Sequence, residues 1–341
     1  MIGAPPGVNR IWLIRRAEPL FHLGLDGWGE MAKHLLHIGF LLAVGALALK
    51  AAFMPPRMQA SLRPGESAAL GDGVLVLKGF EVPKYPGGRP RQYVSDVHVV
   101  SGCSGMASGG RPEVVHAKIS VNHPMRWRGW WIYQNSYDAA RESYTVLEAV
   151  RDPFLPMAAI AGALLLAGAA LLCRWGRADQ GPSRPLAGRP LASALKFAAA
   201  TAVVMLPLWI TGRAVLAKEL VPALQSPLLV PHVGAYVVSY AILIFAAFGI
   251  GVRLVPFGFF LMTLALVLGA VWGKICWGDW WQYDPKEMWS LATWLTFAAY
   301  FHFRRHPAVA RWLLRFGALM IILTLTWVNF ARIFKGLHSY V

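Results

Sequence analysis

Residues 254–289, LVPFGFFLMTLALVLGAVWGKICWGDWWQYDPKEMW, change character halfway along. The stretch 254–273 carries no charge beyond its ends, and about 20 apolar helical residues are what it takes to cross about 30 Å of hydrocarbon. Lys274 closes the run, and indoles then crowd together: Trp272, Trp277, Trp280, Trp281, Trp289 and Trp294. An aromatic belt at a membrane interface accounts for some of them. It does not account for 272–289, where Gly278, Asp279, Asp284 and Pro285 interrupt a helix and the rings come too densely for one interfacial turn. The second reading is a flat aromatic shelf at the membrane surface. Such a shelf suits a large planar apolar ligand held by stacking and edge-to-face packing.

The composition agrees with a membrane protein. Of 341 residues, 56% are hydrophobic and 15% charged, with a mean hydropathy of +0.46. Soluble domains average about 25% charged residues, so this chain cannot cover itself with solvated side chains. A soluble enzyme, a disordered chain and a disulfide scaffold are excluded. Cys103, Cys173 and Cys276 form no CxxC or CxxCH, which removes a redox pair, a zinc knuckle and a covalent heme site of the chain's own. The net charge of +16 would suggest nucleic acid in a soluble protein. Here the basic residues lie mostly between apolar segments, as topology signals and contacts to anionic lipid or ligand, and no nucleic-acid partner is expected.

Seven apolar runs are expected to span: 31–53, 154–173, 194–212, 232–250, 254–273, 288–303 and 312–331. Arg174, Arg177, Arg184 and Arg189 in one loop, and Arg304, Arg305 and Arg311 in another, assign both loops to the cytoplasm. The fold class expected is therefore a multi-pass membrane protein of about seven helices, N-terminus in and C-terminus out. Residues 1–30 form a cytoplasmic segment without the pattern of a signal peptide, and 174–191 a cytoplasmic linker. Residues 54–152 are of soluble composition, with short alternating runs such as GVLVLKGFEV and GWWIYQNSY separated by GDG and YPGGRP. They read as one small external β domain inserted between the first two spans. His98, His116 and His123 in it read as polar surface or core residues, and WRGWW as packing within a sheet.

A porphyrin is a planar ligand of the right kind, and its iron takes imidazole ligands. His232 opens the fourth span and His338 follows the seventh, both expected on the outer side with the tryptophan segment. Together they make an external bis-imidazole site. Toward the cytoplasmic leaflet, His302 ends the sixth span, while His34 and His37 share one face of the first. Ligating residues within spans are costly and usually functional, which points to an inner site.

WGDWWQYDPKEMWSLATWL, with SPLLVPHVGAYVVSYAIL before it and GLHSY after it, resembles the WWD signature of the heme-handling proteins of cytochrome c maturation, specifically the CcsA (ResC) branch. The segments HLLHIGFLLAVGAL, LRPGES, ISVNHPMRWRGWWIYQNSYD and YTVLEAVRDP resemble the partner protein ResB. The chain is thus similar to a compact ResB–CcsA fusion, a System II cytochrome c synthase, with 192–341 as the CcsA-like membrane domain and 272–289 as its WWD segment.

The resemblance implies heme b as a transient substrate, delivered from the cytoplasm to the external site and attached to the CxxCH of an apocytochrome c. It also implies a ResB-type subunit and thiol-reducing proteins as partners, and the bacterial cytoplasmic membrane as the location. Carried onto this sequence, His232 and His338 become the external axial ligands. Trp272, Trp277, Trp280, Trp281, Tyr283 and Asp284 become the shelf, with Tyr283 where the family usually has a third signature Trp. His302 becomes the inner ligand, with His37 or His34 as its partner. Lys274, Lys286, Arg332 and Lys335 are expected to neutralise propionates, and Asp284 to cap the chain break. The alternative is a quinol-oxidising b-type electron carrier with permanently bound heme.

Overall fold

The structure, a computed structural model, describes residues 25–101, 113–178 and 219–330. It opens with helix α1 (Leu25–Phe53), passes through eight strands and returns by helix α2 (Leu155–Ala178). Four more α-helices follow among the described residues: α3 (Leu229–Ala247), α4 (Val255–Trp277), α5 (Pro285–Phe303) and α6 (Pro307–Phe330). Five helical stretches among the described residues are long and apolar enough to cross a membrane: Gly29–Phe53, Leu155–Cys173, Leu229–Ala247, Val252–Trp277 and Pro307–Thr326. The protein is a multi-pass membrane protein. The sixth expected span is helical as α5, but its first turn holds Lys286 and Glu287 and it is not one of those five. The run 194–212 lies outside the described residues.

α1 and α2 pack as an antiparallel hairpin because glycines let their backbones touch. A Cβ on Gly168 would sit 2.9 Å from the Leu36 nitrogen and 3.0 Å from the Ala32 oxygen, the small-residue contact that membrane helices use in place of a hydrophobic drive. The rest of the bundle closes around Phe259, Phe297, Met262, Leu243 and Ile321.

Between α1 and α2 the strands form two four-stranded antiparallel sheets. One has the order β1 (Met58–Leu62), β8 (Thr145–Val150), β7 (Trp130–Tyr137), β6 (Met125–Trp127). The other runs β2 (Ser67–Leu70), β3 (Gly73–Glu81), β4 (Val94–Ser101), β5 (Val114–Ser120). Alternation along β4 buries Ser95, Val97 and Val99 completely, and these meet Ile132, Leu147 and Trp127 of the facing sheet in one core. Within it Ser95 Oγ donates to Gln134 Oε1 at 2.7 Å, and Gln134 Nε2 donates to Thr145 Oγ1 at 2.7 Å. Polar groups satisfied across both sheets fix their pairing. Of the WRGWW rings, Trp127 and Trp130 join this core, while Trp131 faces the other way, beneath the guanidinium of Arg126 at 4.5 Å.

Candidate functional site: the tryptophan segment and its histidines

α4 stops at Trp277 because Gly278 takes the left-handed conformation (φ 82°) and its amide closes on the Lys274 oxygen at 3.1 Å. α5 starts at Asp284, whose carboxylate accepts from the Lys286 amide at 2.9 Å. Glu287 reaches back to the amides of Gln282 (2.8 Å) and Asp284 (3.3 Å), so the DPKE spacing is a capping box. The six residues between are held at both ends, with Tyr283 in a left-handed turn (φ 57°) and 61% exposed.

The β domain sits directly on this loop. The outward face of the β6–β7–β8 sheet presents Trp131, Tyr133 and Glu148 to the end of α4. A Cβ on Gly278 would lie 3.2 Å from the Tyr133 ring, so the strand rides on the helix cap and only glycine fits there. Lys274 donates to Asp152 at 2.7 Å and to the Gly278 oxygen at 3.0 Å, and both members of that ion pair are almost fully buried. Lys50 and Arg57 both pair with Asp279, and Arg57 also pairs with Glu148 at 3.2 Å. Burial pushes the Tyr133 hydroxyl well above its usual range. Lys274, expected at a propionate, is thus committed inside the protein. Arg57, Tyr133, Asp152 and Glu287 were not singled out by sequence, and Asp279 only as a helix breaker; the DPKE spacing could have revealed Glu287, whereas the others have partners far away in the chain.

Trp272 is buried, and its indole N–H donates to Asn122 Oδ1 at 3.2 Å. Its ring meets His232 edge-on, centroids 5.7 Å apart. His232 Nδ1 lies 2.8 Å from the Ala265 oxygen; a carbonyl only accepts, so this contact puts the proton on Nδ1 and the lone pair on Nε2. Trp277 packs in the same cluster as Trp272 and Cys276. Trp280 and Trp281 instead roof an apolar cavity between α1, α2, α4 and α5, whose walls include Leu47, Ala270, Phe40 and Trp294. The Trp280 indole N–H is buried without a hydrogen-bond partner among the described residues, a donor that an apolar site keeps only at a cost unless a ligand meets it. Phe40 and Trp294 stack at 5.9 Å deeper in the cavity.

One turn beyond Phe40 on α1, at the end of the bundle away from the β domain, His37 and His302 meet with centroids 5.6 Å apart and planes at 89°. Each Nδ1 contacts the carbonyl four residues back, Lys33 at 2.7 Å and Ala298 at 2.9 Å, which leaves each Nε2 as the lone-pair nitrogen. His34 is exposed and outside this contact. Lys286 is partly buried in the first turn of α5. His338, Arg332 and Lys335 lie outside the described residues.

Comparison with known proteins divides the chain in the same way. Residues 27–153 match the ResB-like family, and residues 249–338 match the cytochrome C assembly protein family. The chain is similar to the cytochrome c biogenesis protein CcsA of Prochlorococcus marinus (strain MIT 9312), 35% identical over 182 residues, covering 37% of this chain and 57% of that protein. It is also similar to the CcsA proteins of Porphyra purpurea, 44% identical over 95 residues (26% of this chain, 28% of the relative), and Guillardia theta, 43% over 95 residues (26% and 30%). The chain therefore spans at most a little over half the length of these curated relatives. It carries a ResB-like segment on its N-terminal side and a cytochrome C assembly segment on its C-terminal side, the arrangement of a ResB–CcsA fusion.

Proposed function

We propose that this chain handles heme b for cytochrome c maturation, as a heme lyase or synthase. The observation that carries the reading is a two-ended arrangement. At the β-domain end, His232 stands edge-on to Trp272 with its Nδ1 tied back. At the other end His37 and His302 face each other, and the cavity roofed by Trp280 and Trp281 lies between the two ends. In this reading the β domain and the tryptophan segment are external and the His37–His302 end faces the cytoplasm of a bacterium. Heme enters at the inner pair and is presented at the outer site by His232 and His338, its ring against the indoles.

The chemistry asks the protein for positioning more than for proton transfer. Each thiol of the apocytochrome CxxCH adds across a heme vinyl. A carbon–sulfur bond forms, the thiol proton ends on the neighbouring vinyl carbon, and no electrons are gained or lost overall. The tied-back Nδ1 hydrogen bonds orient the ligand imidazoles, and the apolar walls exclude water. Lys286, Arg332 and Lys335 are the cations assigned to the propionates. A separate ResB-type subunit and thiol-reducing proteins complete the pathway.

The test is co-expression with an apocytochrome c, with and without a ResB-type subunit, in a host lacking its own maturation genes, read by heme stain. A covalent heme band that disappears with His232→Ala supports the reading. A band indifferent to His232→Ala and Trp281→Ala overturns the external site. A permanently bound heme reduced by a quinol analogue, with no covalent product, would establish the electron carrier instead.

A further inference from the structure

The β2–β3–β4–β5 sheet turns its inner face to the sandwich core and its outer face to solvent. On that outer face the register pairs Asp96 with Lys118, His98 with His116 and Val100 with Val114. His116 Nδ1 lies 2.6 Å from His98 Nε2, and the ring centroids are 3.7 Å apart. Sequence gives no reason to couple two histidines eighteen positions apart; the antiparallel register does. Facing nitrogens at this distance share one proton, since two imidazolium rings would repel. Burial and the neighbouring His116 hold the His98 imidazole below its ordinary basicity.

We propose that His98 and His116 form a surface site for a divalent transition metal, copper(II) foremost. A cation between the rings would take the Nε2 lone pair of His98 and the Nδ1 lone pair of His116. The shared proton would move to the far nitrogen of its own ring, so both rings stay neutral and no proton is lost. With metal–nitrogen bonds of about 2.0 Å, a right-angled pair of ligands is about 2.8 Å apart and a tetrahedral pair about 3.3 Å apart. The hydrogen-bonded nitrogens, 2.6 Å apart, must open to admit a cation and open least for a right-angled pair, and copper(II) heads the affinity order for nitrogen sites. The charges facing the pair are Lys78 on β3, Asp96 on β4 and Lys118 on β5. They leave one net positive charge, so the affinity must come from the imidazoles. Water fills the remaining positions. Nothing in the site depends on heme handling.

The test uses the full chain in detergent, purified without a polyhistidine tag and stripped with chelator, titrated with copper(II) chloride at pH 7 and followed by electron paramagnetic resonance. The expected result is a tetragonal signal with coupling to two nitrogens that fills at one copper per chain. His98→Gln and His116→Gln each weaken it by about tenfold or more, and His306→Gln, at an exposed position in another part of the chain, does not. Both substituted positions are on an outward face, and an unchanged far-ultraviolet circular dichroism spectrum checks the fold. A wild-type chain without that signal, or a His98→Gln, His116→Gln double variant that retains it, overturns the proposal.

Discussion

His37 and His302 come from the first and the fifth described helices and meet edge to face, 5.6 Å between centroids. Each ring is turned by its own helix, through the carbonyl four residues back. If they act as one inner heme site, His37→Ala and His302→Ala should each lower the heme that co-purifies with the protein, and the double variant should lower it no further. Pyridine hemochrome assays of the three variants read this directly, and additive losses would argue for two separate sites.

Gly269 is the floor under His232. A Cβ there would lie 2.7 Å from His232 Cε1 and 3.2 Å from Nδ1, closer than real contacts allow. Gly269→Ala should displace the imidazole and cost about 1–3 kcal/mol by overpacking. The expected outcome is a shifted or weakened low-spin heme spectrum with every histidine still present. An unshifted spectrum would show that this ring does not hold heme.

The Lys274–Asp152 pair is buried on both sides. Removing one partner leaves a stranded charge, which costs about 3–5 kcal/mol. Lys274→Met or Asp152→Asn should therefore lower the thermal midpoint in detergent sharply, and the double change Lys274→Met, Asp152→Leu should recover much of the loss. A single variant as stable as wild type would mean that the pair contributes little.

Asp284 caps α5, and Asp284→Ala should cost about 1 kcal/mol, with Asp284→Asn milder. Hydrogen exchange should quicken at Lys286 and in the first turn of α5 while the middle of the helix stays protected. Equal quickening along the whole helix would refute a local cap.

The His98–His116 pair makes the sandwich sensitive to acid. The folded state binds a proton at His98 less readily than the unfolded chain does, because of burial and the neighbouring ring. Stability therefore falls as pH drops through its ordinary value of 6.5. Amide protection factors in β4 and β5, taken relative to the intrinsic exchange rate at each pH, should fall below that pH in wild type and lose most of that fall in His116→Gln.

Uninterrupted apolarity made α4 legible from its residues alone, and the strand character of 54–152 was carried by alternation and turn residues. Charge was harder to read. Lys274 looked like an outward cation because its partner Asp152 lies 122 positions away, and Arg57 and Asp279 found each other only through the docking of the sandwich. The family resemblance suggested an inner partner for His302 on the first helix, but could not separate His34 from His37; the structure brings His37 to His302. His98 and His116 read as polar surface or core residues until the strand register joined them.

Three ion pairs around the indole loop, Lys50–Asp279, Arg57–Asp279 and Lys274–Asp152, cross one seam. Lys50, Arg57 and Asp152 belong to the ResB-like segment, whereas Lys274 and Asp279 belong to the cytochrome C assembly segment. Between two separate polypeptides such links would make and break with encounter and dilution. Covalent continuity turns them into intramolecular contacts at high effective concentration, so the indole loop and the sandwich that braces it remain in step however scarce the protein is.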